Sequence, residues 1–140
     1  MAEQKKPAAA PPVKVRESDS RASVRYFRKP EVKLIRMGRE VAVFKGSYGS
    51  FDVQKFRLEF RDATAKVESA ELKAQRIAMD LPGNRLTADG KVRLEEAGVV
   101  LRGDALTAVP SLSKLAFHGK TRLEADDQQA AVALLSSKGL

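Results

Sequence analysis

The 140-residue sequence predicts an all-β fold: antiparallel strands in two layers, stacked as short-strand repeats of about 29 residues around an apolar interior with open ends. Three observations predict it. Apolar and polar residues alternate with period two, as in "FRLEF", "VRLE" and "KLAFH", which marks strands wet on one side. Turn signals separate these runs at Met37-Gly38-Arg39, Gly46, Gly49, Pro82-Gly83-Asn84, Asp89-Gly90, Ala97-Gly98 and Gly119. The segment "GKVRLE" at Gly90 returns as "GKTRLE" at Gly119, 29 positions later.

Taken in order, residues 1–23 form a leader rich in Pro, Ala, Lys and Ser, too poor in large apolar groups to offset its ordering entropy. The packed domain is expected over residues 24–124, beginning at "VRYFRKPEVKLIRM", where Tyr26 and Phe27 are the first large apolar residues. Next, "GSYGS", Gly46–Ser50, reads as a hairpin tip or bulge, because it lacks the lysine and following helix of a phosphate loop. In "FRLEF", Phe56, Leu58 and Phe60 share a face opposite Arg57 and Glu59. Residues 62–80 are rich in helix formers. Their apolar positions Val67, Leu72 and Ile77 miss a helical stripe, and the repeat makes the segment strand.

The repeat aligns without a gap. Leu72 falls on Leu101, Gln75 on Asp104, Ile77 on Leu106 and Leu86 on Leu115, and Gly90 to Glu95 fall on Gly119 to Glu124. One such unit has an apolar face it cannot hide alone, and stacking copies buries it. The stack then ends in unpaired edge strands, which suit pairing with another chain. Residues 125–140 lie beyond the repeat as a C-terminal tail. There Ala130, Val132, Leu134 and Leu135 suit a short capping helix or a disordered end, and Lys138-Gly139 suits a helix terminus.

The stretch Gly90–Glu124 resembles the OstA-like repeat of the lipopolysaccharide-transport bridge proteins, the LptA and LptC types. The matching positions are Gly90, Val92, Leu94, Leu101, Gly103, Asp104, Leu106, Leu115 and Gly119, and Ala74-Gln75 stands where the preceding copy would carry Gly-Asp. The resemblance covers about residues 40–124. It implies an open, twisted antiparallel β-jellyroll that holds lipopolysaccharide acyl chains in an apolar trough and passes them to a partner by end-to-end strand pairing. The implied partners are lipopolysaccharide, ABC-transporter permease subunits and an LptA-type bridge protein, with head-to-tail self-association as a further option. The implied location is the periplasm. A basic leader ahead of the domain suits an inner-membrane tether preceding this chain, closer to the LptC type than the LptA type. The inward row offered as lipid-binding is Phe56, Leu58, Phe60, Leu72, Ile77, Met79, Leu86, Val92, Leu94, Leu101, Leu106, Leu115, Phe117 and Leu123.

Chemistry for an enzyme is missing. There is no Cys and a single His, His118, so a metal site of ordinary ligand count cannot be assembled, and the serines of "ESDS" and "LLSS" have no histidine base nearby. No cofactor is expected. Gly103-Asp104 is expected to serve backbone geometry, with Asp104 bonding backbone groups at a bend. The net charge of +8 is concentrated: residues 1–45 carry 12 Lys/Arg against 5 Asp/Glu, and residues 46–140 carry 14 against 13. The basic stretch Arg25, Arg28, Lys29, Lys33, Arg36 and Arg39 reads as a solvated linker with basic strand faces, or as attraction to lipid phosphates. It lacks the interleaved aromatics of a single-strand nucleic-acid platform, and no nucleic acid is expected. A reading from another class is a self-assembling cytosolic β-repeat scaffold with no ligand.

Overall fold

A computed structural model describes residues 23–140. Residues 1–22, most of the expected leader, lie outside the described residues. Ten strands follow in order: β1 (Val24–Arg28), β2 (Glu31–Arg36), β3 (Arg39–Lys45), β4 (Tyr48–Asp52), β5 (Arg57–Val67), β6 (Ala70–Asp80), β7 (Arg85–Glu96), β8 (Val99–Ala108), β9 (Leu115–His118) and β10 (Arg122–Ala125). One helix, α1 (Gln128–Ser137), ends the chain. All ten strands belong to one sheet, and every pairing is antiparallel.

The pairing shows how one sheet makes two layers. The first half of β5 pairs with β4 and the second half with β3. In the same way β8 pairs with β9 along Ala105–Ala108 and with β10 along Val99–Arg102. Each long strand is therefore shared between two arms. Arm one contains β1, β4, Arg57–Arg61, Arg76–Asp80, Arg85–Asp89, Ala105–Ala108 and β9. Arm two contains β2, β3, Thr64–Val67, Ala70–Lys73, Val92–Glu96, Val99–Gly103 and β10. The arms face each other: Phe44 of arm two and Phe60 of arm one stack at 6.1 Å, and one apolar cluster draws residues from both.

The bends between the arms form a column of corners. Asp62, with φ 46°, turns β5, and Ser47 Oγ donates to its carboxylate at 3.0 Å. In β7 the register slips by one residue on both sides of Gly90-Lys91, with φ of 82° and 51°. An extra residue with glycine in the left-handed region is a bulge that bends and twists its strand. The feature recurs 29 residues on at Gly119, φ 82°. A Cβ at Gly90 would collide with the Gln75 side chain, and one at Gly119 with Asp104, so the same contact is built twice. The amide freed at the second corner is satisfied, because Lys120 N–H donates to Asp104 Oδ2 at 3.2 Å.

Several sequence expectations are corrected here. Gly90 and Gly119 are corners, not turns ending short strands; β5 to β8 run 10 to 12 residues each, folded in the middle. The reason is that a glycine bulge changes strand direction while the ladder continues on both sides. Gly46–Ser50 is not a hairpin tip: Gly46-Ser47 is a corner and Tyr48–Asp52 is strand β4. The helix-or-strand ambiguity over residues 62–80 resolves as strand, with a hairpin turn at Glu68-Ser69.

The tail folds as a helix with both ends closed. Asp127 caps its start by accepting from Gln129 N–H at 2.9 Å. Gly139, φ 79°, ends it, with Leu140 N–H on Leu135 O and Gly139 N–H on Ser136 O, the two bonds of a Schellman motif. Ala131 and Leu134 pack on Val99 of arm two, and Leu115 N–H of arm one donates to Lys138 O. The helix thus links the rims of both arms at the C-terminal end. Lys138 Nζ meets Glu96 Oε1 at 2.7 Å, both side chains largely buried.

The corner contact and the φ requirement can be separated. Gly98, φ 79°, has nothing within 4 Å of a built Cβ. Gly98→Ala is expected to cost about 1 kcal/mol from backbone strain alone. Gly90→Ala adds the collision with Gln75, for a total of roughly 2–4 kcal/mol. Urea unfolding of the two variants checks this; equal losses would remove the corner contact from the account.

Candidate ligand-binding interior

Directly paired residues in an antiparallel ladder share a face, so the register assigns every side chain to the interior or exterior. On arm one the inward rows run Phe27–Gly49–Phe60–Ile77–Ala88–Leu106–Phe117 and Phe51–Leu58–Met79–Leu86–Ala108–Leu115. On arm two one inward row runs Leu72–Leu94–Leu101–Leu123 and continues back through Ala65, Phe44 and Val32. The interior is a continuous apolar slot from β3/β4 to the β9/β10 edge, and at β1 its two rows end on Phe27 and on Arg25, which pairs with Phe51.

Of the residues singled out in the sequence, Phe60, Leu72, Ile77, Met79, Leu86, Val92, Leu94, Leu101, Leu106 and Leu115 are buried in this interior. Leu58 and Phe117 pack against it, partly buried. Leu123 holds its place in the row beside Leu101, yet it is 42 % exposed because no strand follows β10. Phe56 departs from the expected row. It lies in the turn before β5 with φ 53°, so the alternation of "FRLEF" begins one residue later than the text suggests. Its ring tilts against Phe51 at 6.2 Å, beside the N-terminal end of the slot.

The reading missed the contribution of the first four strands. Phe44 and Ala42 are buried, Val32 and Leu34 pack on the cluster, and Phe27 and Phe51 face inward. The period-two run "REVAVFK" carries the signal for Ala42 and Phe44. The repeat could not point to them, because it begins only near residue 71. Small residues also shape the slot: Ala42, Ala63, Ala65, Ala70, Ala74, Ala88 and Ala108 are all buried in the cluster, which lets the arms approach closely.

The exterior of arm one is held by charge. Arg76 Nε donates to Glu59 Oε2 at 2.9 Å and Arg76 Nη1 to Asp89 Oδ2 at 2.9 Å, tying three neighbouring strands. The hydrogen bond from Arg76 holds the Glu59 carboxyl below its ordinary value of 4.5, and the same bond raises Arg76 further. Asp52 is also held below its ordinary value, first by the Lys55 backbone N–H and then by Ser23 and the Gln54 amide, which closes the turn before β5. His118 is exposed at the end of β9, with Nε2 3.2 Å from Thr107 Oγ1. Among the described residues no three His, Cys, Asp or Glu side chains stand together as a metal site would need.

No family model matches this sequence, and no curated protein does. Among solved structures the chain is similar to LptH from Pseudomonas aeruginosa, described as the LptA-homologous periplasmic component of the conserved lipopolysaccharide transport device. The match covers 79 % of this chain and 90 % of that one, with a TM-score of 0.61 and 10 % sequence identity. The two chains share a fold. It is the open, twisted antiparallel β-jellyroll, and here it carries a C-terminal helix across one end.

Because Glu59 is held below its ordinary value, its contribution to stability is present above about pH 4.5 and is lost as pH falls through the lower value it has when folded. Arg76→Met removes the cause. The variant is expected to be less stable at pH 7 and to lose less on acidification. Thermal midpoints between pH 7 and pH 3 check this; parallel curves for wild type and variant would contradict it.

Proposed function

We propose that this chain is a component of a lipopolysaccharide export bridge that holds acyl chains between its two arms and hands them to a partner joined at the end of its sheet. The observation that carries the reading is the course of the apolar slot. It reaches the β1 edge at Phe27 and the β9/β10 edge at Leu123, and these inward-facing apolar side chains are left open, at 47 % and 42 % exposure. The shared fold with a lipopolysaccharide-transport component supports the same reading.

In this reading the middle of the slot is closed when empty, since Leu72, Leu94, Met79 and Leu86 are fully buried. Acyl chains enter as the arms part about the corner column, and the exposed ends make first contact. Each stretch of interior covered by lipid gains roughly 25 cal/mol per Å2 of apolar area. The sequence-predicted row, Phe56 aside, is the wall of that path, joined by Phe27, Phe51 and Phe44. The protein works in the periplasm without chemistry of its own. Its β1/β2 and β9/β10 edges pair with neighbouring components, a permease-side partner and an LptA-type protein, or a second copy head to tail.

The buried positions are poor probes, because Leu94→Asp or Leu115→Asp places a charge in a closed core and unfolds it. The ends are safer. Leu123→Asp and Phe27→Asp are expected to keep the thermal midpoint and to lower lipopolysaccharide binding about tenfold each, the loss of roughly one apolar side chain's burial. Native mass spectrometry with and without lipopolysaccharide reads this. Wild-type binding by both folded variants would sink the slot assignment, and lipid-free filaments of wild type would favour a scaffold instead.

A further inference from the structure

We propose that the outward face of arm two, with the β2–β3 hairpin tip as its apolar edge, docks on an anionic lipid surface. Cross-strand pairing places Glu31, Lys45, Thr64, Lys73, Arg93, Arg102 and Arg122 in direct succession across seven strand segments. Five of the seven are cations, and the run from Lys73 to Arg122 is unbroken, on the face opposite the apolar cluster. At about 4.8 Å per strand that run spans about 14 Å. Like charges directly opposite one another destabilise a sheet, so folding alone does not select this row.

The neighbouring carboxylates compensate it incompletely: Lys45 is paired with Glu31 at 3.7 Å. Glu95 pairs with Arg93 at 3.0 Å, while Glu124 is shared between Arg102 and Arg122 at 3.4 and 3.8 Å. Glu71 reaches Lys66 at 3.9 Å, and Lys73 is exposed with no ion pair among the described residues. A surface of phosphates would meet cations spaced along one line.

The second feature is the hairpin tip. Met37 is 94 % exposed with φ 54°, and Ile35 is 60 % exposed. Arg36 and Arg39 stand opposite each other between Met37 and Ile35, and Ile35 stands opposite Glu40. Neither apolar side chain contributes to the core. An exposed apolar pair with two arginines and one carboxylate beside it suits the boundary between headgroups and acyl chains, where apolar burial and attraction to anionic lipid add. A nucleic acid fits less well, because the outward rows of arm two carry no aromatic side chain on which a base could stack.

The experiment is co-sedimentation of the full chain with vesicles of phosphatidylcholine alone and of equal parts phosphatidylcholine and phosphatidylglycerol. Binding is expected to the mixed vesicles only and to weaken as salt rises. Lys73→Gln is expected to lower that affinity about fivefold and Met37→Asp about tenfold, both at an unchanged thermal midpoint and with lipopolysaccharide binding in solution retained. The leader's cations are untouched in both variants. Binding that survives both changes, or that is equal on neutral vesicles, overturns the proposal. So does tighter binding to a charge-matched oligonucleotide than to the mixed vesicles.

Discussion

An antiparallel sheet with one apolar face has to cover that face, and this chain does so by bending its long strands, β5 to β8, along one line. The bend is the constraint on which the rest depends. At Gly90-Lys91 and again at Gly119 an added residue in the left-handed region turns the strand, and the side chain beside it, Gln75 or Asp104, packs where a Cβ would otherwise sit. A strand that continued straight would leave Leu106 and Leu94 on a single flat face open to water. With the corner in place, both lie on facing arms in one cluster.

The other features follow from that line. A sheet folded on itself is closed along the corner but has no natural end, so its interior reaches both edges. At the N-terminal edge this leaves Phe27 partly open, and at the C-terminal edge Leu123. The helix partly finishes the second end, because the rims of the two arms are near enough there for ten residues to cross from Ala125 to Leu115 and lock with Lys138 on Glu96. Most other charges lie on the outside, where Arg76 ties β5, β6 and β7 and arm two presents its basic row.

Much of this was legible in the sequence, for a physical reason: period-two alternation reports the interior face directly. Leu72, Leu94, Leu101 and Leu123 stand in one row, as the 29-residue repeat implied. What the repeat hid was the difference between a turn and a corner. A glycine with positive φ serves both, and only its partner across the ladder tells them apart. Gly98 ends a strand and Gly90 bends one, although their φ values are 79° and 82°. Phe56 was misplaced for a related reason: alternation in the text does not show where a strand begins, and Asp52 holds residues 53–56 in a turn. The inward residues of β1 to β4 were missed because they precede the repeat.

For acyl chains to be held as proposed, the two arms have to act as separate walls that part about the corner column. Spin labels at Lys73 on arm two and Arg85 on arm one, both exposed and outward-facing, measure that separation directly. With lipopolysaccharide bound, their distance is expected to grow by several ångström, about the thickness of an acyl chain, while a pair within arm two, Lys66 and Arg102, stays fixed. An unchanged Lys73–Arg85 distance in the lipid-bound protein would contradict the account.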